Sequence, residues 1–456
     1  MRVQGQGVSD ILKLRCDERL PRYTSYPTAP QFSNVITRAT YEQWLEILPA
    51  PSKTSLYFHV PFCRSMCSYC GCHTTITQRD EPIDDYIDAL RREVELVARK
   101  APPSRAVHHI HFGGGTPTIV APDVLLSLTA LVRERFDVAS GAEVAVEIDP
   151  RTLTPEMTEA LGDSGFTRAS LGVQSFDPRV QKAINRIQSV ACTAHAVDGL
   201  RANGVRGINF DLIYGLPLQT VESCVATVNA CLVMKPDRLS VFGYAHIPDF
   251  KKHQRKINEA DLPSGVERHE QAEAIAQALV AAGYIRIGFD HFARADDAMA
   301  RAQAENRLRR NFQGYTTDAC ETLIGFGASA IGRLPQGYVQ NEVVLGRYAE
   351  RIRRGELATA KGYRLTEDDA LRAELIERIM CDLVVDIEEV CARRGASING
   401  LSPVLARLQT LADDGIVRLE GPRVEVVAGA RLLVRSVAAA FDAYLLQSSR
   451  TYSRAV

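Results

Sequence analysis

Between residues 55 and 246, short apolar runs alternate with longer amphipathic stretches. The runs are SLYFHV (55–60), AVHHIHF (106–112), AEVAVEID (142–149), RASLGVQS (168–175), GINFDLIYG (207–215) and RLSVFGYAH (238–246). Each is β-rich and bounded by Gly, Pro or Asp, so each reads as a strand. The stretches between them carry a helical period. In PIDDYIDALRREVELVARK (82–100), Ile83, Ile87, Leu90, Val94 and Val97 share one face. Pro82 suits the first turn, and Asp84 and Asp85 suit the positive end of the helix dipole. Six strand–helix repeats predict an α/β fold with a parallel sheet and helical crossovers. Polar residues stand at or just after the strand ends: His59, the GGGTPT turn (113–118), Glu147, Asp149, Gln174, Asp211 and His246. A barrel gathers such ends at one mouth, whereas an open doubly wound sheet offers a single crevice. So many polar ends favour a barrel, and six units make it an incomplete (β/α)6-type barrel.

Both ends of the chain break this rhythm. Residues 1–50 contain LPRYTSYPTAP (20–30), an aromatic, Pro-punctuated, extended segment. Beyond about 250 the pattern turns mainly helical, and near the C-terminus two helical stretches precede the hairpin IVRLEGPRVEVV (416–427). That order is similar to a winged helix. SPVLARLQTLADDG (402–415) has no basic face, so the unit reads as structural rather than DNA-binding. Three parts are therefore expected: an extended segment over 1–50, the barrel over 51–260, and a mainly helical, winged-helix-like domain over 261–456.

Charge and composition exclude several classes. Lys and Arg number 54 against 55 Asp and Glu, a net charge of −1, which predicts no nucleic-acid partner. The N-terminus has no apolar core of a secretory signal, and no apolar run reaches a membrane span. Eleven cysteines, an odd number with four crowded together, suggest a reducing cytoplasm and metal binding rather than a disulfide framework. A soluble cytoplasmic monomer is the default.

The crowded cysteines lie in HVPFCRSMCSYCGC (59–72), at spacing C-x3-C-x2-C-x-C. Three thiolates can hold an iron–sulfur cubane and leave one iron open for a substrate. Structural zinc is the alternative, but it needs a second half-site, and the other cysteines (16, 192, 224, 231, 320, 381 and 391) are scattered singly. Those read as small core hydrophobes. His108, His109 and His111 share one strand without a nearby third ligand, so they do not read as a metal site. His59 and His246, at strand ends, are better placed, either to bond cluster sulfur or substrate or as buried structural histidines.

With GGGTP after the second strand, the cysteine loop resembles the radical S-adenosylmethionine (SAM) superfamily. Within it, the chain resembles the oxygen-independent coproporphyrinogen III oxidases, through PRYTSYPT, HVPFC-x3-C-x2-C-x-C, HFGGGTPT, EIDPR, GVQSF, NFDLIYGLP, RLSVFGYAH, QRKI, DHFAR and RNFQGYTT. It departs from that pattern at Gly243, where Asn is expected, and at Ser175. The resemblance implies a radical SAM barrel whose Cys63, Cys67 and Cys70 bind a [4Fe–4S] cluster. It implies two SAM molecules. Tyr57, Gly114, Glu147 and Ile331 would line the first. Tyr69, Gly115, Thr116, Gln174, Arg186, Asp211 and Ala245 would line the second.

The implied substrate is coproporphyrinogen III, whose ring A and B propionates would become vinyl groups, giving protoporphyrinogen IX in haem biosynthesis. An electron donor and an electron acceptor are required as well. Four substrate propionates call for cations. Arg22 and Tyr23 are suitable, with the 1–50 segment covering the barrel mouth, and so is Arg310; Arg255 and Lys256 read as solvated surface. Cys72 would stand outside the ligand set and act in the substrate or electron step. Two other classes share the barrel and loop: a haem chaperone and an anaerobic haem-degrading radical enzyme. Relatives of those kinds usually lack the fourth cysteine and the PRYTSYP segment, and both are present here.

Overall fold

The six apolar runs form six strands: β1 (Thr54–Val60), β2 (Ala106–Gly114), β3 (Asp137–Ile148), β4 (Arg168–Gln174), β5 (Gly207–Tyr214) and β6 (Arg238–Gly243). The computed structural model describes residues 15, 17–49, 52–102, 106–445 and 452; Cys16 lies outside them. The first crossover helix, Glu81–Lys100, buries Ile83, Ile87, Leu90, Val94 and Val97, as its period predicts. Strand neighbours from β1 to β6 run parallel in sequence order.

The sheet does not end there. Six more strands join it: β7 (Tyr284–Ile287), β8 (His291–Arg294), β9 (Thr322–Phe326), β10 (Ile331–Leu334), β11 (Gly337–Asn341) and β12 (Thr359–Arg364). The order across the sheet is β12-β11-β10-β9-β1-β2-β3-β4-β5-β6-β8-β7. β9 pairs parallel to β1, and the remaining additions are antiparallel. The barrel is thus open. The boundary expected at 260 falls between strands of one sheet, which is a correction: 261–364 is not mainly helical. The helical part begins at Glu367–Asp382. The winged-helix-like unit then follows as expected, with helices Ile387–Arg393 and Ser402–Asp413 and hairpin strands Val417–Glu420 and Arg423–Val426.

Strand alternation separates two faces. In β4, positions 168, 170, 172 and 174 are half-buried, while 169, 171 and 173 are buried. Register places Tyr57 beside His111, and Glu147 beside Ser170, on the half-buried inner side. Toward the helices, Phe58 stacks on Phe112 at 4.6 Å and on Phe326 at 4.8 Å, all fully buried. Each such ring stabilises the fold by roughly 1.5–3 kcal/mol. This ladder fixes the strands whose ends carry the site.

The N-terminal segment straps three elements together. Ser33 exchanges backbone hydrogen bonds with Gly362 on β12 at 2.8 and 2.9 Å. The Tyr23 hydroxyl donates to Asp442 at 3.1 Å, and the Ala443 N–H donates to the Tyr26 hydroxyl at 2.9 Å. Arg22 Nη2 donates to the carbonyl of Gly243, at the end of β6, at 3.1 Å. Cys224, Cys231, Cys381 and Cys391 are buried, and Cys192 and Cys320 partly so, in keeping with small core residues. Among the described residues no helix is long and apolar enough to cross a membrane.

Candidate active site

The cysteine loop leaves β1 at Pro61 and folds back under the glycine turn. The Gly115 N–H donates to the Val60 carbonyl at 2.9 Å, and the Thr116 N–H to the Phe62 carbonyl at 2.8 Å. The hydroxyls of Thr116 and Thr74 each lie 3.4 Å from Cys63 Sγ. Arg151 Nη2 and Arg186 Nη1 each lie 3.6 Å from Cys67 Sγ. Cys72 is exposed, and its thiol hydrogen-bonds Cys70, which holds the Cys70 thiol down at about 6. Burial pushes the Cys63 thiol up, against its two hydroxyl partners. No three His, Cys, Asp or Glu side chains among the described residues crowd together as the ligands of a single ion do. A cubane takes its ligands at separate corners, and three free thiols on one loop, with hydroxyls at Cys63 and cations at Cys67, fit it.

The glycine turn is shaped by what a side chain would strike. A Cβ on Gly113 would lie 2.8 Å from the Glu147 carboxylate, and one on Gly114 2.7 Å from the His59 ring. The Gly114 N–H donates to Glu147 Oε2 at 3.0 Å, and His111 Nε2 lies 3.3 Å from Oε1. Burial would raise the Glu147 carboxyl, but His111, the Gly114 amide and His59 outweigh it and hold it below the ordinary range. His59 has a defined tautomer. Its Nε2 faces the His73 carbonyl at 3.2 Å and must donate, so Nδ1 accepts from the Tyr57 hydroxyl at 2.9 Å.

Opposite the loop, Arg186 clamps Asp149 with two bonds of 3.2 Å and donates to the Gly172 carbonyl at 2.7 Å. Its Nε is buried without a partner. Burial opposes the Asp149 charge, yet Arg151 and Arg186 keep its carboxyl below the ordinary range. Asp211 accepts from Ser170 at 2.8 Å and Asn209 at 3.0 Å. There burial wins, with the Glu147 charge adding to it, and the carboxyl is raised. Gln174 takes a left-handed φ of 66° at the end of β4. The Gln254 side chain bridges the carbonyls of Tyr69 and Ala245 at 3.0 and 3.1 Å. Ile331 backs on Gly325, which pairs with Tyr57.

The fold therefore gathers the cysteine loop, the glycine turn and the expected cofactor-lining residues at one end of the sheet. Tyr23 is the exception: it is buried at 4% exposure and turned to Asp442. Arg22 is water-accessible, yet burial lowers its pKa, and Asp290, Tyr214, Arg310 and Cys72 lie within electrostatic reach. His246 is not at the cysteine loop; it links the Tyr244 hydroxyl to Glu259 at 2.9 and 3.0 Å. Arg255 and Lys256 are exposed. Space for a side chain at Gly243 is taken by the Tyr214 hydroxyl, 2.9 Å from a Cβ there. Sequence reasoning missed His111 as the partner of Glu147, Arg151 as the partner of Asp149, and the Asp290–His291 pair at 2.6 Å. The local signals were Arg151 two residues after Asp149 in EIDPR and the adjacent Asp290 and His291 in DHFAR.

Comparison with known proteins agrees with this geometry. The Radical SAM superfamily model matches residues 57–231. The chain is 62% identical over 440 residues to an oxygen-independent coproporphyrinogen III oxidase of Bradyrhizobium diazoefficiens, covering 96% of this chain and 98% of that protein. It is 40% identical to one from Paracoccus denitrificans, over 95% and 96% of the two chains. The solved coproporphyrinogen III oxidase of Escherichia coli, a radical SAM enzyme, superposes with a TM-score of 0.89 at 37% identity, over 94% of this chain and all of that one. With its three-thiol loop, glycine cradle and sheet intact over that length, the chain belongs to the oxygen-independent coproporphyrinogen III oxidases of the radical SAM superfamily.

Proposed function

We propose that the chain converts the ring A and B propionates of coproporphyrinogen III to vinyl groups without oxygen, and that Cys63, Cys67 and Cys70 hold the [4Fe–4S] cluster for this. When bound, the cluster and SAM together supply a one-electron cleavage that yields a 5′-deoxyadenosyl radical. The observation that carries the reading is the coupling of thiol loop to glycine turn. Two backbone bonds and the Thr116 hydroxyl fix Cys63 against Gly115.

The residues divide the remaining work. Glu147, kept ionised by His111, accepts from the ammonium or ribose of one SAM beside Tyr57, Gly114 and Ile331. Arg186 orients the second SAM through a carboxylate, with Tyr69, Gly115, Thr116, Gln174, Asp211 and Ala245 around it. Two molecules match the two vinyl groups formed. Arg22 holds a substrate propionate, and Tyr23, latched to Asp442, positions Arg22. The strap over the mouth excludes water from the radical. At each propionate the overall conversion would remove a β-hydrogen atom, CO2 and one electron, the electron passing to an external acceptor. The ten free thiols of the described residues suit a reducing cytoplasm.

The test is anaerobic reconstitution with iron and sulfide, then coproporphyrinogen III, SAM and a reductant. Protoporphyrin should appear after oxidation. Haem binding without decarboxylation would instead make this a chaperone.

A further inference from the structure

The outer side of the cysteine loop carries a surface that the cofactor sites do not use. The segment DFKKHQRK (249–256) lies across it. His253 Nε2 donates to the Cys70 carbonyl at 2.7 Å, Lys251 Nζ to the Cys72 carbonyl at 2.8 Å, and Gln254 to the Tyr69 carbonyl at 3.0 Å. Lys252, Arg255 and Lys256 are exposed, and so is Phe250, at 69%. Among the described residues none of these cations, nor Lys251, forms an ion pair. Asp249 is the one acid in the segment, and the nearby Glu259 is engaged by His246.

The other flank of the loop is built alike in one respect. Asn185 donates to the Met66 carbonyl and the Ser68 N–H to the Ile184 carbonyl, both at 2.8 Å. Two residues beyond Asn185, Ile187 is 67% exposed. Beneath the loop, Val180, Ile184, Leu216, Tyr244 and Ile257 form one small apolar cluster, with Tyr69 packed on it. Both flanks are therefore fixed to the loop that bears the thiols.

Scattered exposed lysines are ordinary. Here four cations against one acid fall within eight residues of a chain whose net charge is −1, in a segment bonded through Lys251 and His253 to the backbone that carries Cys70 and Cys72. Electron-transfer partners use small, weak interfaces steered by charge, and a bare basic patch with an exposed aromatic ring suits an acidic partner. We infer that this face docks an acidic one-electron carrier protein and is where the electron enters. The inference rests on the radical SAM reading. One electron leaves the reduced carrier and reduces the oxidised cluster; no bond or proton is exchanged.

The test uses the full, cluster-loaded chain and reduced flavodoxin, an acidic flavoprotein, as the probe. Binding is measured by titration calorimetry and cluster reduction by stopped-flow absorbance, at low and high salt. Cluster reduction and protoporphyrin formation are also measured with dithionite. In the wild type, flavodoxin should bind and react faster at low salt. The K252E/R255E/K256E variant should react roughly tenfold or more slowly and lose the salt dependence. The milder Lys252→Gln/Lys256→Gln variant should fall between, and both should keep wild-type iron content and dithionite rates. A salt-independent wild type, or a triple variant reduced by flavodoxin at the wild-type rate, overturns the inference. So does a raised KM for coproporphyrinogen III in the dithionite assay, which would give these cations to the substrate. Failure of the wild type to decarboxylate with dithionite would instead overturn the functional reading, while the binding arm would still report on the surface.

Discussion

Gly115→Ala should detach the cysteine loop from the glycine turn. A Cβ at Gly115 would lie 2.4 Å from the Phe62 carbonyl oxygen, 2.8 Å from the Phe62 nitrogen and 2.8 Å from Thr74 Oγ1. Two of these neighbours are backbone, and Phe62 directly precedes Cys63. Relief to an ordinary contact needs a separation of about 1 Å. That movement stretches the Thr116 bond to Phe62 and the Gly115 bond to Val60, now 2.8 and 2.9 Å, beyond useful range. Overpacking costs roughly 1–3 kcal/mol, and each of the two lost bonds about 1 kcal/mol, so the sum should be roughly 3–5 kcal/mol. Gly113→Ala meets only the far end of the Glu147 side chain and should cost about 1 kcal/mol or less. Gly141→Ala, with nothing within 4 Å, is the neutral control. Iron and sulfide per chain after anaerobic reconstitution, and the urea midpoint of the cluster-free chain, read the two effects. If Gly115→Ala kept both at wild-type values, the coupling of loop and turn would be wrong.

Other consequences follow from the same contacts. Cys72→Ser should keep the iron content and lose propionate decarboxylation; loss of the cluster itself would make Cys72 a ligand. Arg186→Gln leaves Asp149 paired with Arg151 alone and should destabilise the chain by roughly 3–5 kcal/mol. Because the Asp149 carboxyl is depressed in the fold, its contribution is present above the ordinary carboxylate range and is lost as pH falls through the folded value. Acid urea titrations of the variant should therefore show a smaller loss of stability on acidification than the wild type does. Glu93 is buried and accepts from Gly327, Asn341 and Tyr348, each at 2.7 Å, and burial raises its carboxyl from 4.5 to about 7. Here the sign reverses. Stability is fully present below the ordinary range and should fall by about 3 kcal/mol as pH rises through 7. Glu93→Gln should flatten that slope in urea midpoints taken from pH 5 to 8, and an unchanged slope would refute it.

What could be read along the chain is what local pattern controls. β1 to β6 are inner strands, so their apolar runs are continuous and stand out against the helices. β10 and β12 are short and antiparallel, and AKGY within β12 carries no run; pairing with β9 and β11 makes β10 a strand, and pairing with β11 makes β12 one. The site divides the same way. Its thiols are neighbours in sequence, so the loop was visible. Glu147 and His111 meet only because β2 and β3 lie side by side in parallel register, a relation between distant segments. Arg22 and Tyr23 make the limit plainest. Both are plausible substrate contacts by residue type. The chain turns at Tyr23, with φ 47°, so that the Arg22 guanidinium reaches the Gly243 carbonyl at the end of β6 while the Tyr23 hydroxyl is latched to Asp442, 419 residues away. That division follows from the strap itself. The segment must grip the C-terminal helices, and the buried Tyr23 hydroxyl is the group given to that contact.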